Sequence, residues 1–149
     1  MPGEVNRDDS CLFCAIVAGT IPSTRVDEDE RTVSFMDINP ATDGHLLVVP
    51  RAHAVDLTDI APEDLAACAL TAQRLARRQL DVLGADGVNL LNCTGEAAWQ
   101  SVFHFHLHVV PRYAGDPERD GLSLPWVPSP GDPDRIAATG RRLQGGADG

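Results

Sequence analysis

Lysine is absent from this chain of 149 residues: all 12 basic residues are arginine, against 22 acidic ones, for a formal net charge of −10. Without lysine there is no Schiff-base chemistry and no P-loop lysine. The acidic balance lacks the basic footprint that a phosphate backbone needs, so bulk nucleic acid is not an expected ligand. An anionic substrate must be met locally, by arginine, histidine, main-chain NH groups or a metal. No stretch nears the roughly 20 apolar residues of a membrane span, and no apolar signal segment follows Met1, so neither a membrane partner nor secretion is expected. Four cysteines in that setting read as thiols or metal ligands of a reducing, cytoplasmic compartment.

What is present is an ordinary globular mixture, 43% hydrophobic and 23% charged. A chain of this length forms one domain and buries roughly 68–70% of its unfolded surface without disulfides.

Local patterns place the elements. Ser10 to Ala18 reads as a short helix capped by Asp9 or Ser10 and stopped at Gly19. Thr32 to Met36 reads as a strand bounded by the charged turn Asp27 to Arg31. After the turn at Asn39-Pro40 and Asp43-Gly44 comes a second strand, His45 to Val49, apolar enough to be central and covered on both faces. Pro62 to Leu83 has a proline for its first turn and an apolar stripe of Leu65, Cys68, Ala69, Ala72, Leu75, Ala76, Leu80 and Leu83, the mark of a long helix. Val88 to Asn92 and Val102 to Val110 complete the strands, the last ended by Pro111. Beyond Tyr113 the composition turns to Gly, Pro, Asp and Ser. Leu122 to Val127, with Trp126, is expected to pack on the domain, and 133–143 to form a weak helix.

His104-Phe105-His106-Leu107-His108 carries the chemistry. Strand alternation would put three imidazoles on one face, about 6.6–6.8 Å apart at Cα, with Phe103, Phe105, Leu107 and Val109 on the other. Such a face can hold one catalytic metal, or divide its histidines between a metal and a nucleophile. His45 and His53 are the remaining histidines. Cys11-Leu-Phe-Cys14 is either a ligand pair or a redox pair, and it lacks the βαβ context of the redox motif.

Gln100-Ser-Val-Phe-His104-Phe-His106-Leu-His108-Val-Val110 resembles the signature of the histidine triad (HIT) superfamily. Cys11 to Cys14, Phe35-Met-Asp37-Ile-Asn-Pro40, Gly44-His45-Leu-Leu-Val-Val-Pro50 and Pro111-Arg-Tyr-Ala-Gly-Asp116 resemble its other segments, in the same order. The likeness runs from Ser10 to Asp116. It implies an α+β HIT-like fold with an antiparallel sheet of about five strands, one long and one short helix, and a homodimer. The chain then divides into a flexible start (1–9), a HIT domain (10–116), a Pro/Gly-rich extension packed on it (117–144) and a disordered tail (145–149).

The same resemblance implies a purine nucleotide-type substrate cut at its α-phosphorus, either a nucleoside phosphoramidate or a dinucleoside polyphosphate. His106 falls on the nucleophile, His108 beside the transferring phosphoryl group, and His104 and His45 close by. A neutral imidazole attacks phosphorus through Nε2 when an acceptor holds its Nδ1–H. Asp37 falls on the ribose-binding carboxylate, although an Asx-turn before Asn39-Pro40 also explains an aspartate there. Leu12, Phe13, Ile16 and Ile38 match the base pocket, or are plain core. Asn92, Gln100 and Ser101 match positions near the phosphate. Relatives with Cys-x-x-Cys hold structural zinc, here through Cys11, Cys14, His53 and His104, a closed Cys₂His₂ set. The contrasting class is a dimeric nucleotide-binding or partner-binding module with little turnover. One departure stands out: Trp99 precedes Gln100 where the family commonly has glycine, which changes the loop above the phosphate.

Overall fold

The computed structural model describes residues 7–124 and 127–145. Its core is a five-stranded antiparallel sheet in the order β1-β2-β3-β5-β4. The strands are β1 (Arg25–Glu28), β2 (Thr32–Met36), β3 (Leu46–Pro50), β4 (Gly87–Leu91) and β5 (Leu107–Arg112). Helix α1 (Leu12–Ala18) covers one face, α2 (Pro62–Leu83) the other, and α3 (Pro133–Gln144) follows the domain. The α+β HIT-like architecture expected from the sequence is therefore the one observed.

Pleating splits the hydrophobic residues between two cores. Leu46 and Val48 of β3, with Leu107 and Val109 of β5 and the buried Phe105, pack against Cys68, Ala72 and Leu75 of α2. Leu47 and Val49 face the other way and join Val33, Phe35, Phe13 and Ile16 beneath α1. All five residues of β3 are buried, as a central strand requires.

Several boundaries differ from the sequence expectations. The cap of α1 is Cys11, whose Sγ accepts from the Cys14 amide at 3.4 Å, rather than Asp9 or Ser10. The charged segment read as a turn contains β1, an edge strand with a single apolar residue, tied to α2 by ion pairs of Asp27 with Arg74 and Arg78. Strand β5 begins at Leu107, not Val102. The Phe105 amide donates instead to Ala54 O at 2.7 Å, which anchors the approach to β5 on the loop after β3. Pro111 lies inside β5 rather than ending it, because β3 pairs only as far as Val109 and the missing NH faces no neighbour. On α2, Ala69 and Leu80 are exposed, while Thr71 and Gln79 are buried. Gln79 Nε2 bridges Gly44 O and Val109 O at 3.1 and 3.0 Å, which satisfies the amide nitrogen of this buried side chain, while its Oε1 has no hydrogen-bond partner among the described residues.

After β5 the chain is strapped down by Asp120, which accepts from Arg112 Nε at 2.8 Å and from the Tyr113 amide at 2.9 Å. The Arg112 guanidinium holds the Asp120 carboxyl down at about 2. In the segment after β5 Leu122 is half-buried, whereas Leu124 and Val127 are exposed and α3 buries no residue. With Ile136 and Leu143 as its only large apolar side chains, α3 has little surface to bury. Trp126 lies outside the described residues, as do 1–6 and 146–149, where most of the expected flexible start and disordered tail fall. Among the described residues no helix is long and apolar enough to cross a membrane.

Candidate active site and metal centre

Two histidine clusters form on the α1 side of the sheet, and each takes its order from main-chain groups. In the first, Cys11 Sγ and Cys14 Sγ lie 3.4 and 3.5 Å from His104 Nδ1, and Cys14 Sγ lies 3.4 Å from His53 Nδ1. The two Nδ1 atoms are 3.3 Å apart. A tetrahedral ion with sulfur at about 2.3 Å and nitrogen at about 2.0–2.1 Å spaces its ligands about 3.3–3.8 Å apart. The four atoms thus have the spacing and chemistry of a closed Cys₂His₂ site, able to hold a metal. His104 is fully buried, and its Nε2 lies 2.9 Å from Pro50 O. That carbonyl takes the Nε2 proton and turns the bare Nδ1 toward the thiols. Asp8 Oδ2 stands 3.9 Å from His53 Nε2 on the outer side. Burial pushes the Cys14 thiol up and His104 down to about 4, so a cation at the centre is what would favour thiolate and bare imidazole together.

In the second cluster, His106 Nδ1 lies 2.8 Å from His104 O. The carbonyl accepts Nδ1–H, and Nε2 keeps the free lone pair. Phe13 meets the His106 ring edge-on at 5.1 Å and fixes its plane. Beyond it, the Ala41 amide donates to His45 Nδ1 at 3.0 Å, and His45 Nε2 lies 2.9 Å from His108 Nδ1. An amide only donates, so neutral His45 carries its proton on Nε2 and gives that hydrogen bond to His108 Nδ1. His108 is left with Nε2–H. Asp37, His45 and His108 are also close enough to hold an ion. The Ala41 amide opposes this, because it leaves His45 no second lone pair for a metal. Burial is the main cause that lowers the titration of His45, His106 and His108, the last to about 4, so all three are neutral near pH 7.

His106 and His108 open onto a cleft of about 320 Å³. Its walls bring together Leu12, Phe13, Ile16 and Ile38 with Asp37 and Ser101. Ile38 is 89% exposed and stands at the mouth rather than in the core. Asp37 Oδ1 accepts from the Asn39 amide at 2.8 Å in an Asx-turn, and the residue also lines the cleft. Asn92 and Gln100 do not line it. Asn92 Nδ2 donates to His106 O at 3.0 Å, and Gln100 ties Gly95, Val55 and Val102 together. Their polar atoms are engaged in holding the backbone around His106 and the loop before it. Pro50 O, His104 O and the Ala41 amide escaped the sequence reading, since a main-chain group leaves no mark in residue identity. Cys68 and Cys93 are buried apart from both clusters, the Cys68 thiol pushed up to about 12.

The HIT domain family matches residues 18–115. The chain belongs to the HIT superfamily. This HIT chain is 45% identical over 136 residues to a HIT-like protein of Mycobacterium tuberculosis, covering 90% of each. It is 33% identical over 134 residues to adenosine 5′-monophosphoramidase of Schizosaccharomyces pombe, covering 90% of this chain and 96% of that one. A solved structure of a zinc-bound histidine triad family protein from Mycobacterium smegmatis is 48% identical, with a TM-score of 0.72 over 91% of each chain.

Proposed function

We propose that this HIT chain is a nucleotidyl hydrolase or transferase that cleaves nucleoside phosphoramidates or dinucleoside polyphosphates at the α-phosphorus. The observation that carries the reading is the hydrogen bond from His106 Nδ1 to His104 O, which leaves Nε2 as a neutral nucleophile in the wall of the cleft. Nε2 bonds to phosphorus as the bond to the leaving group breaks, giving a nucleotidyl-His106. Water then attacks the same phosphorus, the P–N bond breaks, and the lone pair returns to Nε2. His108 offers Nε2–H to the leaving atom or a phosphoryl oxygen, and Ser101 lies on the same wall as a second donor. Asp37 takes the ribose hydroxyls, and Leu12, Phe13, Ile16 and Ile38 sandwich a purine. The name of the fission-yeast relative supports the phosphoramidate class.

Cys11, Cys14, His53 and His104 are the residues that would hold zinc, and the zinc-bound mycobacterial relative supports that choice of metal. With four protein ligands a bound ion would have no open position and would serve to brace the fold. A homodimer is part of the reading. Strand β4 is at the sheet edge with Leu90 and Leu91 exposed at 54% and 39%, a surface that a second copy would cover.

The test uses an adenosine phosphoramidate or diadenosine polyphosphate labelled at the α-phosphorus, quenched during turnover. Acid-labile label should appear on the wild-type protein and vanish in His106→Ala. Nucleotide binding with neither label nor turnover, in folded metal-loaded protein, overturns the enzyme in favour of a binding module.

A further inference from the structure

Trp99 has a φ of 71°, the only positive value at a non-glycine position among the described residues. Bulky L-residues are disfavoured there, and such outliers persist where the surroundings enforce them, often at functional sites. Packing does not explain this one. Trp99 is 79% exposed, and among the described residues its ring meets no aromatic or cationic partner.

The loop beneath it is nevertheless firmly fixed. The Trp99 amide donates to Glu96 O at 2.9 Å and the Gln100 amide to Gly95 O at 3.1 Å. Gln100 Oε1 takes the Gly95 amide, and its Nε2 reaches Val55 O, both at 2.8 Å. At the start of the loop, Thr94 holds Asn92, which holds His106 O. The indole is thus carried on the same framework as the nucleophile, at small further cost in ordering.

Its place in the sheet order sets it apart from β2 and Ile38, although Ser101 and Val102 of the same loop share the cleft wall with Leu12 of α1. The purine side of the cleft is built by α1 and by Ile38, which follows β2. His106 leads into β5, and the Trp99 loop joins β5 to β4, on the side away from β2. Ser101, on the cleft wall, is two residues from Trp99, so their Cα atoms are at most about 7 Å apart.

We infer that Trp99 determines leaving-group specificity: its indole, borne on a fixed backbone, stacks a planar aromatic leaving group at the rim. The inference rests on the nucleotidyl-transfer reading. Its test compares adenosine 5′-(N-benzyl)phosphoramidate with the N-cyclohexylmethyl compound, which share nucleotide, leaving atom and size but differ in planarity. The wild-type protein should favour the benzyl compound by about 5-fold or more in kcat/KM, in line with the strength of aromatic stacking. Trp99→Leu and Trp99→Gly should bring that ratio close to unity, and Trp99→Phe should keep most of it. The ratio within each variant cancels any loss common to both substrates. A ratio that is the same in all four proteins overturns the inference and leaves the nucleotidyl transferase standing. Wild-type protein that turns over neither compound, nor the unsubstituted phosphoramidate, nor a diadenosine polyphosphate overturns both.

Discussion

His104 O stands 2.8 Å from His106 Nδ1, while the imidazole of His104 points its own Nδ1 at two cysteine sulfurs. One residue therefore belongs to both clusters, by its side chain to the Cys₂His₂ group and by its carbonyl to His106. Whatever fixes the ring of His104 also fixes the peptide that aims His106.

Removal of one sulfur should show the link. Cys14→Ser is expected to lose bound zinc from about one ion per chain to near none. Its Tm should fall by on the order of 10 °C, as expected where metal binding is coupled to folding. Turnover should fall at temperatures where the variant is still folded, because the peptide that holds His106 loses its anchor. Metal content, thermal melting and kcat measured together check this. A variant that loses its metal but keeps wild-type kcat and Tm contradicts it.

Asn92 holds His106 from the other side, through His106 O. It lies outside the cleft wall, so Asn92→Ala should lower kcat by on the order of 10-fold with KM within about 2-fold of wild type. Steady-state kinetics on one phosphoramidate suffices. A raised KM with kcat unchanged would mean that Asn92 binds substrate directly.

The elements whose signal is side-chain periodicity were legible in the sequence. Helix α2 begins at Pro62 and ends at Leu83 as its stripe and terminal residues foretell, and the burial of β3 follows from its unbroken apolar run. Strand β1 was hidden because an edge strand needs little apolar content, and Arg25 to Glu28 reads as a charged turn. The onset of β5 was hidden because the Phe105 amide bonds to Ala54 O, a partner 51 positions away that no local pattern reveals. At the site, alternation and the ordered motifs singled out histidines and cysteines that the fold brings into two clusters, since these residue types are distinctive. The groups that settle each tautomer, Pro50 O, His104 O and the Ala41 amide, belong to the backbone and appear only once the chain is folded.

Gly44 sits directly before His45 with φ 91°, and a Cβ there would lie 2.5 Å from Leu83 Cδ1 and 3.3 Å from the Pro111 ring. Its carbonyl also accepts from Gln79. Gly44→Ala should cost about 1–3 kcal/mol and lower Tm by several degrees, because strain and overpacking add at one position. The shifted backbone should move His45, and with it His108. A melt coinciding with wild type would show that Leu83 and the turn yield freely.

His108 gives a pH signature whose sign can be worked out. Burial lowers its titration to about 4, aided by His106 and His45 and opposed by Asp37. In the unfolded chain a histidine titrates near 6.5. Between about 6.5 and 4 the unfolded state therefore holds the extra proton, and stability rises with pH across that window. Stability from the neutral His108 is fully present above about 6.5. It is lost as pH falls toward 4, and this group causes no further loss below. His45 shifts in the same direction, also chiefly by burial. Thermal melts from pH 7.5 to 4 should thus show Tm falling in the wild-type chain, and His108→Gln should flatten the fall by up to one proton's worth of slope. The glutamine can still accept from His45 Nε2 with its amide oxygen, so the variant keeps the hydrogen bond while losing the charge. Parallel curves for the two proteins would mean that His108 titrates alike in the folded and unfolded chains, and that burial does not hold it neutral.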